Sequence, residues 1–206
     1  MKTQLCKSFL IYLLLQAMFT PFLKAVTQEN IFFSILTTDD GLSQFTAQAL
    51  YADERGQIWI GTRNGISVYN GARIKSYKQE KGNIHTLLGR KIKNICGNGK
   101  GIIYILAREG LCQFNMRTEE FKHLSDNSSK EWINSIFYHK RNLYLGSYGS
   151  VFEYDEKSGE RKVYCTFPKH LVPNCLMMDK SGQLWVGHND GVFIVSSDGE
   201  VNKHLF

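Results

Sequence analysis

The 206 residues are 43% apolar and 13% aromatic, enough to bury a core and unlike a disordered or collagen-like chain. Three of the 25 lysines and arginines, Lys2, Lys7 and Lys24, fall in the first 25 residues, where no carboxylate stands, so 22 basic side chains face 19 acidic ones in the rest. That net +3 is too mild to predict nucleic-acid binding.

Residues 1–25 predict a secretory signal peptide. Lys2 and Lys7 form its positive end, and Phe9 to Phe19 is an apolar run broken only by Gln16, the pattern of an export signal cleaved here after Ala25. Eleven helical residues reach about 16 Å, half of a ~30 Å hydrocarbon core, so the run does not predict a membrane span. Cys6 precedes the run and is not placed as a lipoprotein cysteine. Residues 31–37 (IFFSILT) predict a leading strand before Asp39-Asp40-Gly41-Leu42-Ser43.

Four copies of one unit follow. The first contains Asp53-Glu-Arg-Gly56-Gln-Ile-Trp59-Ile-Gly61-Thr-Arg-Asn-Gly65-Ile-Ser-Val-Tyr69, and the fourth repeats it without a gap as Asp179-Lys-Ser-Gly182-Gln-Leu-Trp185-Val-Gly187-His-Asn-Asp-Gly191-Val-Phe-Ile-Val195. The second runs from Asn98 through Gly101, Tyr104 and Gly110 to Phe114. The third runs from Tyr138 through Arg141, Tyr144, Gly146 and Gly149 to Tyr154, one residue shorter before its second glycine. The aromatic anchors Trp59, Tyr104, Tyr144 and Trp185 are spaced by 45, 40 and 41 residues.

Within each copy, short apolar or alternating runs are bounded by Gly, Asp and Asn instead of helix caps, so each copy predicts four strands. Strand A precedes the Asp, strand B carries the anchor, strand C follows the second glycine, and strand D is a polar-alternating run such as Arg73 to Tyr77. Gly56, Gly101 and Gly182 are assigned to A–B turns that need a positive φ, and Asp53 and Asp179 to capping those turns through backbone N–H groups two residues on. A four-stranded antiparallel unit recurring every 40 to 45 residues cannot bury its faces alone and stacks on its neighbours, which is a β-propeller blade. The predicted class is therefore all-β: a leading strand 31–37 and blades at 46–78, 91–125, 132–167 and 172–206. Because the last copy supplies its own strand D, the ring is expected to be an incomplete arc of a longer propeller or a truncated product, the competing reading being a closed four-bladed ring with a redundant first strand.

The Asp-x-x-Gly-x-Ile/Leu-Trp-Ile/Val-Gly unit, preceded by Thr38-Asp-Asp-Gly-Leu-Ser43, resembles the two-component regulator propeller repeats. Those repeats form the periplasmic sensor region of hybrid two-component systems in Bacteroides-type gut bacteria. The resemblance implies a periplasmic or secreted sensor segment that detects glycan fragments and passes the signal to a kinase region outside this chain. The implied partners are an oligosaccharide or glycan fragment, further propeller blades or a kinase polypeptide, and a second copy of the chain.

Catalytic chemistry finds little footing. The six histidines show no H-x-x-x-H or H-E-x-x-H spacing and the cysteines no C-x-x-C pair, so neither a metal nor a cofactor is expected. Cys96 and Cys112 are assigned to the first and third strands of one sheet, beyond disulfide reach. Gly97-Asn-Gly-Lys-Gly101 is a hairpin turn, since no helix follows to bind phosphate. The Asp turn is also close to the Asp-box of sialidase propellers, which keeps a secreted propeller enzyme of glycosidase or lyase type as the alternative, although no paired carboxylates single themselves out.

A ligand site is expected on the B–C turns, whose tips vary while the strands repeat. Arg63, Asn64, Arg108, Tyr148, His188 and Asn189 stand there and carry groups able to bond sugar hydroxyls or acids.

Overall fold

A computed structural model describes residues 33–126, 132–197 and 200–204. The predicted signal peptide lies outside them. Leu36–Phe206 is a compact unit distinct from Met1–Ile35, and its sixteen strands form four antiparallel sheets of four, each in simple sequence order. Blade one is β1 (Ala47–Ala52), β2 (Ile58–Thr62), β3 (Gly65–Tyr69) and β4 (Ile74–Tyr77). Blade two is β5 (Ile92–Gly97), β6 (Ile102–Ala107), β7 (Gly110–Asn115) and β8 (Glu120–Asp126). Blade three is β9 (Ile133–His139), β10 (Asn142–Ser147), β11 (Ser150–Tyr154) and β12 (Arg161–Thr166), and blade four is β13 (Cys175–Met178), β14 (Leu184–His188), β15 (Gly191–Val195) and β16 (Val201–His204).

The A–B turns explain why the motif folds as it does. Gly56 adopts φ +75°, a conformation that costs glycine nothing. Asp53 Oδ1 accepts the backbone N–H groups of Arg55 and Gln57, both at 2.9 Å, so the carboxylate satisfies donors that the sharp reversal leaves without strand partners. In the third copy the two-residue turn has no glycine, and Lys140 and Arg141 themselves take φ +45° and +74°.

Three apolar cores lie between successive blades. Trp59, Ile66 and Val68 of blade one pack with Ile92, Ile103, Ile105 and Phe114 of blade two. Tyr104 and Leu106 pack with Ile136, Leu143 and Tyr154, and Tyr144 and Val151 pack with Leu176, Leu184 and Phe193. The anchors at Trp59, Tyr104 and Tyr144 thus fill interblade space, as the repeat predicts. Cys96 and Cys112 sit on β5 and β7 as free thiols, and burial pushes the Cys112 thiol up to about 12, which keeps it protonated and inert.

The A strands stand side by side, with β1 against β5, β5 against β9 and β9 against β13. Among the described residues no contact of that extent joins β13 back to β1, so the four blades form an open arc. The predicted leading strand differs. Residues 33–37 carry no strand, and residues 31 and 32 lie outside the described part. A strand needs an unfilled edge to pair with, and in blade four the position beside β15 is already held by β16. Residues 40–44 instead lie over the outer face of blade one. The Ser43 N–H donates to Ser67 Oγ at 2.9 Å, the hydroxyls of Ser43 and Thr62 meet at 2.9 Å, and the Ser76 hydroxyl donates to the Gly41 carbonyl at 2.6 Å.

Candidate functional site

The B–C turns and the D–A connections share one face, because the connections bond to the turns on either side. The Gly65 N–H donates to the Arg90 carbonyl at 2.9 Å and the Arg108 N–H to the Lys91 carbonyl at 2.8 Å, so one connection ties the first two turns together. Likewise the Gly149 N–H donates to Leu171 at 3.0 Å, and the Val172 N–H donates to Asn189 Oδ1 at 3.3 Å. The six expected residues therefore fall into two groups. Arg63, Asn64 and Arg108 flank the connection between blades one and two, and Tyr148, His188 and Asn189 flank the one between blades three and four.

Their side chains are not equally available. Arg63, Arg108, Tyr148 and Asn189 are exposed, whereas Asn64 and His188 are half-buried. The His188 ring stacks on Phe193 with centroids 4.6 Å apart, and its Nδ1 accepts the Asp190 N–H at 3.1 Å. This imidazole serves its own turn more than a ligand.

Two further residues of this face were not anticipated. Lys93 Nζ lies 5.2 Å from the centroid of the Trp132 ring, a cation–π distance, and desolvation together with the nearby Arg108 lowers the Lys93 pKa. Arg108, Lys93 and Trp132 make a basic and aromatic corner between blades two and three. The available signal was Trp132 itself, the one tryptophan that falls outside the repeat register.

The A–B and C–D turns mark the opposite face. Here the motif Asp does more than cap. Asp53 Oδ2 accepts the indole N–H of Trp59 at 2.8 Å, and Asp179 Oδ2 accepts that of Trp185 at 3.0 Å. One carboxylate thus ties the turn to the anchor. The second copy changes both partners: Asn98 Oδ1 accepts the N–H groups of Lys100 and Ile102, and Tyr104, having no indole N–H to return, donates its hydroxyl to Glu156 of blade three. Among the hollows that open on this face are one of about 640 Å³ beside the turns of blade three and one of about 340 Å³ between blades one and two. Among the described residues no cluster of three His, Cys, Asp or Glu is placed to hold a metal ion.

Residues 43–64 match the family described as two component regulator propeller. The matched stretch runs from Ser43 through the Asp53 turn to Trp59, Gly61 and Asn64, so it contains the residues that tie this turn to its anchor. Histidine kinase P4 of Formosa agariphila is 39% identical over 49 residues, which are 24% of this chain and 4% of that protein. The extracellular domain ascribed to a hybrid two component system of B. thetaiotaomicron superposes with a TM-score of 0.65 at 19% identity, covering 79% of this chain and 22% of that one. A chain of the nidogen/laminin complex reaches a TM-score of 0.57 at 13% identity, covering 77% of this chain and 65% of that one. At such identities the structural likeness is one of fold. The chain spans less than a quarter of the bacterial structure and a few per cent of the kinase.

Proposed function

We propose that this chain, which carries a two-component regulator propeller repeat, is an exported ligand-sensing segment of a two-component regulatory system. It detects glycan fragments in the periplasm and passes the signal to a kinase region on further polypeptide. The observation that carries this reading is the match of residues 43–64 to the regulator propeller family. The extracellular location of the bacterial structural neighbour supports export, as does the apolar run of residues 9–19. Among the described residues no helix is long and apolar enough to cross a membrane.

The binding face is that of the B–C turns. Its exposed Arg63, Arg108, Tyr148 and Asn189 sit on turns fixed by backbone bonds, an arrangement that spends little entropy on ordering when a ligand arrives. Guanidinium and amide groups offer several donors to sugar hydroxyls or carboxylates. A binding role fits such scattered donors better than catalysis does.

The test is calorimetric titration of the purified chain with a panel of defined neutral and acidic oligosaccharides. Replacing Arg63 and Arg108 together by alanine is expected to weaken binding at least tenfold while leaving the melting temperature unchanged. Unchanged affinity would reject this face.

A further inference from the structure

The gap between blades one and two differs from the next gap in how it is closed. Between blades two and three, the Tyr104 hydroxyl reaches across to Glu156 in the C–D turn of blade three. Between blades one and two, the corresponding anchor turns its N–H back to Asp53 of its own blade. No such bridge spans that gap from Trp59, and a shallow hollow of about 340 Å³ lies over the buried Trp59, Phe114 and Met116, its accessible rim made by Arg55, Arg73, Lys75, Glu119 and the half-buried Tyr77. The volume is that of a small-molecule site. Phe114 belongs to the packed core beneath, where the half-buried Tyr77 tilts against it at 5.1 Å, and Lys75 Nζ stands 5.2 Å from the Tyr77 ring centroid.

The rim is unbalanced in charge. Arg55, Arg73 and Lys75 line this hollow against the single carboxylate of Glu119. An adjoining hollow shares Arg55 and adds Lys100 and Arg117 against Glu54. Five cations therefore meet two carboxylates. The hollow beside blade three shows no such excess, its four basic residues facing four acidic ones.

Glu119 is the unusual member. It holds φ +59°, the left-handed region that favours glycine. The turns of blades two and three are built alike: Asn115 Oδ1 accepts the Arg117 N–H and Asp155 Oδ1 the Lys157 N–H, while the Glu119 and Gly159 N–H groups donate to the carbonyls of Asn115 and Asp155. Blade three thus has Gly159 at φ +75° where blade two has Glu119. A glutamate held at a glycine position is strained, and strain of this kind marks functional positions. Its carboxylate meets the Lys75 ammonium at 2.6 Å, with both side chains more than half exposed. An ion pair so exposed is weak and replaceable.

We propose that the hollow between blades one and two binds an anionic saccharide unit, whose acidic group takes the place of the Glu119 carboxylate on Lys75 and is held further by Arg55 and Arg73 of the same rim. Glu119 is then a built-in competitor that keeps Lys75 paired when no ligand is present. This rests on the glycan-sensing reading and adds a site on the face opposite the B–C turns. A carboxylate and a sulfate ester share the required charge, and each can engage a guanidinium through two parallel hydrogen bonds.

Calorimetry on the full chain tests it, with a disaccharide carrying one uronic acid and one carrying a single sulfate ester, each against its neutral parent. At least one acidic disaccharide is expected to bind ten times or more tightly than its parent, with an affinity that falls as salt rises. R55A/R73A should lower that affinity at least tenfold. E119G and E119Q should each raise it severalfold, and E119G should also raise the melting temperature by relieving the backbone. Equal binding of the neutral parents, or affinities indifferent to Arg55, Arg73 and Glu119, would overturn the site. If binding responds to Arg63 and Arg108 alone, only this site falls. If no saccharide binds at all, the glycan reading falls with it.

Discussion

Blades one and four carry the same seventeen-residue motif in register, and their turns are superposable in chemistry: Asp53 and Asp179 each cap two backbone N–H groups and take an indole N–H. Their surroundings are not alike. Trp59 is 1% exposed and meets Phe114 of blade two edge-on at 5.3 Å. Trp185 is only half-buried, beside Met177 at 52% exposure and the exposed Cys175. The local motif therefore builds the turn and aims the anchor, while burial of the anchor comes from the next blade. Conformation is a property of one repeat, and most of its stabilisation belongs to the junction between two.

Truncating the two anchors breaks the comparison most sharply. Trp59→Ala removes a fully buried indole from the first interblade core and should cost about 3–5 kcal/mol in denaturant unfolding. Trp185→Ala removes an indole that is still half in water, and should cost roughly 1–2 kcal/mol. Equal losses would show that the outer face of blade four is covered in solution, by a second copy or by chain beyond the described residues.

The same division explains what was legible in the amino-acid sequence. Period, strand order and turn capping are local, so spacing of Asp53, Gly56, Trp59 and Gly65 carries them. The indole bond to Asp53 is local too, six residues apart, yet a pattern of letters does not reveal that one carboxylate can cap a turn and hold an anchor. The strand expected at 31–37 is absent from its described part, 33–37, for a non-local reason: its apolar run is real, but pairing depends on a free edge, and β16 fills the one beside β15. Lys93 and Trp132 are 39 residues apart and meet only because β5 and the connection into β9 are brought together. Glu119 gave no signal at all, because a left-handed glutamate shows itself only against Gly159 in the superposable turn of blade three.

Gly61 and Gly187 sharpen the contrast at a smaller scale. A Cβ on Gly61 would stand 2.6 Å from Ile92 Cγ2 and 3.0 Å from Ile92 Cβ, on the first strand of the next blade. Blade two thus approaches blade one closely at Gly61, and Gly61→Ala should cost about 1–3 kcal/mol by overpacking the junction. A Cβ on Gly187 would meet Cys175 Sγ at 2.4 Å within its own blade. That thiol is exposed and can rotate away, so Gly187→Ala should cost less than about 1 kcal/mol. Thermal melts of the two variants side by side check the ordering, and a reversal would place the tight junction on blade four.

The smallest effect concerns the turn of blade four alone. The indole N–H of Trp185 comes first among the causes that hold the Asp179 carboxyl below its ordinary value of 3.8, followed by the backbone N–H of Gln183. A carboxyl depressed in the folded chain contributes stability above its unfolded pKa and loses it as pH falls through the folded value. Wild type should therefore exceed Asp179→Asn in melting temperature at neutral pH, and the gap should close below pH 3.8. Trp185→Phe keeps the ring but removes the donor, so it should bring the Asp179 titration back towards 3.8, read by following the carboxyl carbon in NMR. A titration unmoved by Trp185→Phe would assign the depression to the backbone donors, and the Asp of this motif would then be a turn cap alone.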